Sequence, residues 1–132
     1  MIYIKKIKIF KDKRGTLATV ENKNFKFFRI KRSFFINFKK KGAKRGEHAH
    51  KKCSQFIFCV SGKVILNTID NKLKKRQIIL SNMNRGVHIK PLVWVEIIPE
   101  VKNSTIVCFA DRNYESTDYI HDFKKFKKII NK

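Results

Sequence analysis

Gly42-Ala43-Lys44-Arg45-Gly46-Glu47-His48-Ala49-His50-Lys51-Lys52-Cys53-Ser54-Gln55 reads as a basic, glycine-containing loop running into a short strand, with Gly62 further on. His48 and His50 are two apart, so on an extended strand both imidazoles leave one face. Two imidazoles converging inside a small β fold can bind a metal or move protons near neutral pH. Gln55, a neutral side chain, follows them where a carboxylate would favour a divalent ion. The balance points to free imidazoles.

Outward from that strand, the chain is a series of short apolar runs punctuated by turn residues, the pattern of an all-β sandwich or barrel. Ile2, Ile4, Ile7 and Ile9 alternate with lysines before a turn at Asp12-Lys13-Arg14-Gly15. Strands are expected over 17–20, 25–30 and 32–38, and Ser61-Gly62 reads as a hairpin turn between strands 55–60 and 63–69. Strands over 72–80, 87–89, 94–98 and 104–110 complete the series. From Asp118, Tyr119, Ile120, Phe123, Phe126, Ile129 and Ile130 recur at helical spacing, so an amphipathic helix is expected over about 118–130, with Thr117 or Asp118 as its cap. The whole, residues 1–132, is read as one domain, a β barrel over about 1–111 followed by that helix.

Composition narrows the function. The net charge is +22, yet lysine outnumbers arginine by 25 to 7 and the basic residues are scattered rather than gathered into one arm. A nucleic-acid partner is therefore disfavoured; attraction of a small phosphorylated ligand is the milder inference. No apolar run is long enough to span a bilayer, so no membrane partner is expected, and the N-terminus lacks a signal-peptide core. Three cysteines with no framework spacing suit a reducing compartment, by default the cytoplasm. There is no Gly-rich phosphate loop or dinucleotide fingerprint, and no redox cofactor is indicated.

The spacing Gly42-x5-His48-x-His50-x4-Gln55-x6-Gly62 resembles the first motif of the cupins, double-sheet jelly rolls. The stretch comparable to their second motif starts at Gly86 and reaches Pro91, but lacks the second glycine and has Glu96 where a metal-binding histidine would fall. A metal-dependent cupin using His48, His50 and Glu96 is the competing enzyme class. A closer resemblance covers nearly the whole chain. Asp12-x-Arg14-Gly15-x-Leu17, Ile30-Lys31-Arg32, Arg45-Gly46-x-His48-Ala49-His50-Lys51-Lys52, Pro91-x-Val93-Trp94 and Tyr114-x-x-Thr117-Asp118-Tyr119-Ile120 are similar to the sugar-nucleotide 3,4-ketoisomerases.

That resemblance implies an all-β cupin jelly-roll barrel with a C-terminal amphipathic helix. It also implies a metal-independent, cofactor-free isomerase acting on dTDP-4-keto-6-deoxyglucose, and a homodimer with exchanged N-terminal strands. It places the catalytic base at His50, with His48 as its partner; the residues by themselves leave the two roles exchangeable. Moving a ketone from C4 to C3 requires a proton to leave C3 and another to reach C4 through an enediolate, work that suits an imidazole. Arg14, Arg32 and Arg45 are candidates for gripping the diphosphate or the developing oxyanion. His88 and Gln55 are further candidates for substrate contact, and Trp94 for stacking on thymine or sugar. Departures from the family stand at Phe34 and Phe35, where tyrosines are common, at Ser54 and at Val95. Cys53, three after His50, would face away from the histidines on a continuous strand; Cys59 and Cys108 read as core residues. A non-catalytic cupin that binds a sugar nucleotide is the remaining alternative.

Overall fold

The computed structural model describes residues 1–26 and 28–132. Its strands are β1 (Ile2–Lys6), β2 (Lys8–Asp12), β3 (Gly15–Thr19), β4 (Arg32–Phe38), β5 (Arg45–His50), β6 (Gln55–Ser61), β7 (Val64–Ile69), β8 (Lys75–Leu80), β9 (Arg85–Ile89), β10 (Trp94–Pro99), β11 (Ser104–Ala110) and β12 (Tyr119–Ile120), followed by the helix α1 (Phe123–Ile130). Two five-stranded antiparallel sheets form, in the orders β1-β9-β6-β11-β4 and β12-β5-β10-β7-β8, with β2 and β3 as a separate hairpin. This is the expected cupin-like jelly roll with one C-terminal helix.

Period-2 alternation gives each sheet two apolar faces, and each face finds a different cover. Ile57, Cys59, Val87, Ile106 and Cys108 of the first sheet meet Val64, Leu66, Val95 and Ile97 of the second, making the barrel interior. The outer face of the first sheet, with Phe56, Phe58 and Val107, lies under Ile7, Phe25 and partly buried Ile9, Ala18 and Val20. The outer face of the second sheet places Ala49, Trp94 and Ile120 under Phe126 of α1.

Three expectations change. Ser61-Gly62 is not a hairpin turn: β6 belongs to the first sheet and β7 to the second, so this turn carries the chain from one sheet to the other. The strand expected over 25–30 runs through residue 27, outside the described residues; its described positions carry no sheet pairing. The helix starts at Phe123, not near 118, and its cap is Asp122, whose side chain accepts from Lys124 N. Tyr119 and Ile120 instead pair with His50 and Ala49 of β5. The apolar spacing that suggested a longer helix came from Ile120 sharing the Ala49–Phe126 cluster as a strand residue.

Phe126 is fully buried, with ring centroids 5.8 Å from both Trp94 and Phe123. Phe126→Ala is expected to destabilise the protein by about 3–4 kcal/mol through lost transfer energy plus a cavity. Urea unfolding of the variant checks this value.

Candidate active site

The two histidines sit where a bulge controls the face of β5. Val95 pairs with His48, but the next β10 residue, Glu96, pairs with Gly46, leaving Glu47 as the extra residue. Gly46 and Glu47 both have positive φ, at 86° and 58°. A Cβ on Gly46 would come within 2.7 Å of the Val95 carbonyl oxygen, so the bulge requires glycine there. Cross-strand partners share a face, so His48 lies on the interior side with Val95, and His50 follows two residues on.

His50 is buried and its Nδ1 lies 3.0 Å from Asp118 Oδ2. Asp118 is held in turn by the chain that follows β5: Lys52 N donates to Oδ1 at 2.8 Å and Cys53 N to Oδ2 at 3.3 Å. Lys51 N donates to the Asp118 carbonyl at 2.9 Å. Burial works to raise the Asp118 carboxyl, but the bonds from His50 and these amides outweigh it and hold the group below its ordinary value. An ionised carboxylate accepts only, so the hydrogen-bond pattern assigns the proton of His50 to Nδ1. Nε2 then carries a lone pair, and it is buried with no hydrogen-bond partner. Burial is the main influence on His50 and lowers it from the usual histidine value, against the hydrogen bond it donates to Asp118, which raises it. The neutral, proton-accepting form is therefore favoured near neutral pH.

Other aromatic groups close around this pair. The His48 ring stands edge-on to His50 with centroids 5.2 Å apart, and Tyr119 lies 4.4 Å from His50 and 5.1 Å from His48. His121 stacks on Tyr119 at 5.5 Å with an interplanar angle of 6°. On the opposite sheet Arg32 pairs with Ala110, which pairs with Gln55, placing the arginine and the buried glutamine in one interior row. The Arg32 guanidinium lies over Phe34 at 5.3 Å and Tyr114 at 5.6 Å, and its buried Nε has no partner. Phe34 thus lines the interior, while Phe35 is 70% exposed on the other face of β4.

Not every expected residue arrives here. Arg14 is at the tip of the β2–β3 hairpin, exposed and ion-paired with Asp12. Arg45 begins β5, five residues from His50 and so about 15 Å along the strand. It borders a depression with Asn37, Phe38, Lys39, Lys40, Ala43 and Lys44. Trp94 is buried under α1, 5.2 Å from Phe123, where a base cannot stack on it. Glu96 is on the outer face with Trp94, 3.7 Å from Lys44 Nζ, so it forms no triad with His48 and His50.

His88 is also misplaced relative to expectation. Its neighbours Val87 and Ile89 face the barrel interior, and His88 turns outward, 5.4 Å from Phe28 and 6.0 Å from Tyr3. Burial, reinforced by Lys90 and Lys5, pushes it down to about 4. Below the ordinary value of 6.5 the unfolded chain takes a proton that folded His88 refuses. Its contribution to stability is thus complete above pH 6.5 and is lost as the pH falls toward about 4. Urea unfolding should show a loss of about 2 kcal/mol from this group between pH 6.5 and about pH 5, flattened in His88→Gln.

Cys53 departs from expectation too. The strand ends at His50, the chain bends at Lys51 and Lys52, and the thiol returns beside His50 and Asp118. The three donor atoms lie within 4.8 Å of one another, the one convergent donor group among the described residues. Both carboxylate oxygens and His50 Nδ1 are already hydrogen-bonded, and burial pushes the Cys53 thiol up to about 11. As built, the group is a bonded unit rather than an open ligand set. Asp118, Tyr119 and His121 are the site residues that sequence reasoning missed. The only local signal was the Asp118-Tyr119-Ile120 run, which fits a helix cap as readily as a strand.

Comparison with known proteins places the chain in a family. A family model described as FdtA, WxcM-like, C-terminal, matches residues 1–131. The chain is 35% identical over 122 residues, 92% of its length and 86% of the other, to a TDP-4-oxo-6-deoxy-alpha-D-glucose-3,4-oxoisomerase of Aneurinibacillus thermoaerophilus. It is 30% identical to the sugar 3,4-ketoisomerase QdtA of Thermoanaerobacterium thermosaccharolyticum, solved in complex with TDP. That likeness covers 98% of this chain and 94% of the other, with a TM-score of 0.92. A histidine-to-asparagine variant of QdtA, solved in complex with TDP-4-keto-6-deoxyglucose, matches at 29% identity with the same coverage and TM-score.

Proposed function

The chain belongs to the FdtA family of sugar 3,4-ketoisomerases, and from that membership we propose that it converts dTDP-4-keto-6-deoxyglucose into a dTDP-3-keto-6-deoxyhexose. The observation that carries the mechanism is the His50–Asp118 pair, which leaves Nε2 buried, unprotonated and without a partner. His50 Nε2 takes the proton from C3; the C–H electrons form the enediolate, and Asp118 stabilises the imidazolium. His48 serves the return of a proton to C4, while the proton on O3 is exchanged for one on O4. Arg32, with its free Nε and its place in the Gln55 row, faces the developing negative charge or the diphosphate. Phe34 cannot supply a phenol beside Arg32, and Tyr119 is the phenol-bearing ring packed against the histidines.

The enzyme works in the cytoplasm, as its three buried free cysteines suit. It acts as a homodimer with exchanged N-terminal strands; Phe10 and Leu17, paired on the β2–β3 hairpin and 54% and 59% exposed, offer the apolar surface for it. The reaction is tested with metal-stripped protein and dTDP-4-keto-6-deoxyglucose in heavy water, followed by NMR. A 3-keto product with deuterium on the sugar ring is expected. A folded protein that leaves the C3 proton unexchanged refutes the proposal.

A further inference from the structure

Three imidazoles run from the interior to the surface. His50 is buried, His48 is half-buried and His121 is exposed. Their centroids are 5.2 Å apart for His50 and His48 and 5.9 Å for His48 and His121. Tyr119 packs against all three rings, at 4.4, 5.1 and 5.5 Å, and so covers the inner two on one side. The acid next to His121 in the chain, Asp122, is engaged in capping α1 through Lys124 N. His50 has one route for a proton, because Asp118 occupies its Nδ1.

Resting on the isomerase reading above, we infer that His48 and His121 form a proton relay that connects the His50 base to bulk water, so that the proton delivered to C4 comes from solvent. The balance is simple. The C3–H bond breaks, its electrons enter the enediolate, and the proton passes from His50 through His48 and His121 to water. A solvent proton returns along the same line to His48, and the enediolate electrons form the new C4–H bond. No oxidant or reductant is needed. Burial, with a smaller effect from His121, lowers His48 against the hydrogen bond to the Gly46 backbone that raises it, and the net lowering keeps the ring neutral. Besides His121, the groups facing His48 are the Gly46 backbone and His50 on its own strand and Tyr119 on β12.

Substrate carrying deuterium at C3 distinguishes this relay from a single base that carries its own proton from C3 to C4. Turned over in ordinary water by the wild-type protein, it should give product with its C4 deuterium washed out. His121→Phe keeps a ring against Tyr119 but cannot carry a proton, and His121→Gln removes the ring; in both, the deuterium retained at C4 should rise at least about threefold. Free imidazole in the buffer should restore the washout, and circular dichroism and TDP binding should be unchanged. A wild type that retains the label, or variants that wash it out as fully as the wild type, overturns the relay alone. A folded wild type with no C3 exchange removes the isomerase reading and the relay with it.

Discussion

His50→Asn should lower kcat about 10³- to 10⁴-fold while TDP affinity stays within about twofold. Asparagine can keep a hydrogen bond to Asp118 but offers no basic nitrogen where Nε2 now sits. The buried environment that makes Nε2 effective also leaves no neighbouring group to replace it. His48 is close, yet it lacks a carboxylate partner; burial lowers it first, against a hydrogen bond to the Gly46 backbone that raises it, and His121 lowers it further. NMR progress curves with dTDP-4-keto-6-deoxyglucose, alongside TDP titration, measure both numbers. Turnover within about tenfold of wild type would move the base to another residue.

Asp118→Asn should cost about 10²- to 10³-fold in kcat. The ionised carboxylate fixes the productive tautomer of His50 and stabilises its imidazolium; an amide can present a donor to Nδ1 and reverse the tautomer. It also leaves Lys52 N and Cys53 N with fewer acceptors, since both now donate to the carboxylate. The pH profile separates these effects. With His50 as the proposed base, the acid limb of kcat/KM in the wild type should fall below pH 6.5, because burial lowers His50 more than Asp118 raises it. Removing the carboxylate takes away the raising influence, so the limb should move further toward acid while the plateau drops. A plateau that is lost with the limb unmoved would reduce Asp118 to a structural support for the loop after β5.

Local pattern made much of this protein legible. Alternation in 55–60, 64–69 and 104–110 marks strands because one face of each sheet meets the barrel interior and the other a different cover. His48 and His50 share a face because their spacing matches the strand period. The same rule fails at Cys53, and it would fail at Arg45 as well. Alternation alone puts Arg45 outward with Glu47, but the bulge at Gly46–Glu47 sets it opposite Ile97, a core residue. Alternation turns Cys53 away from the histidines only on a continuous strand, and β5 ends at His50.

Chemistry-bearing residue types and their short-range spacing named the histidines, and the motifs of the whole chain named the family. Asp118 became the partner of His50 through folding, across 68 residues of sequence. It reaches that position because Tyr119 and Ile120 pair with β5, and the bend at Lys51 and Lys52 turns three amides toward it. Trp94 and Glu96 were lost to the site by the same kind of event: the register of β10 turns them to the outer face, where α1 covers the tryptophan and Lys44 meets the glutamate. Periodicity reports which residues share a face of one strand. Which strands meet, in what register and under what cover depends on burial summed over the whole chain, and that sum set Asp118 against His50 and oriented its ring.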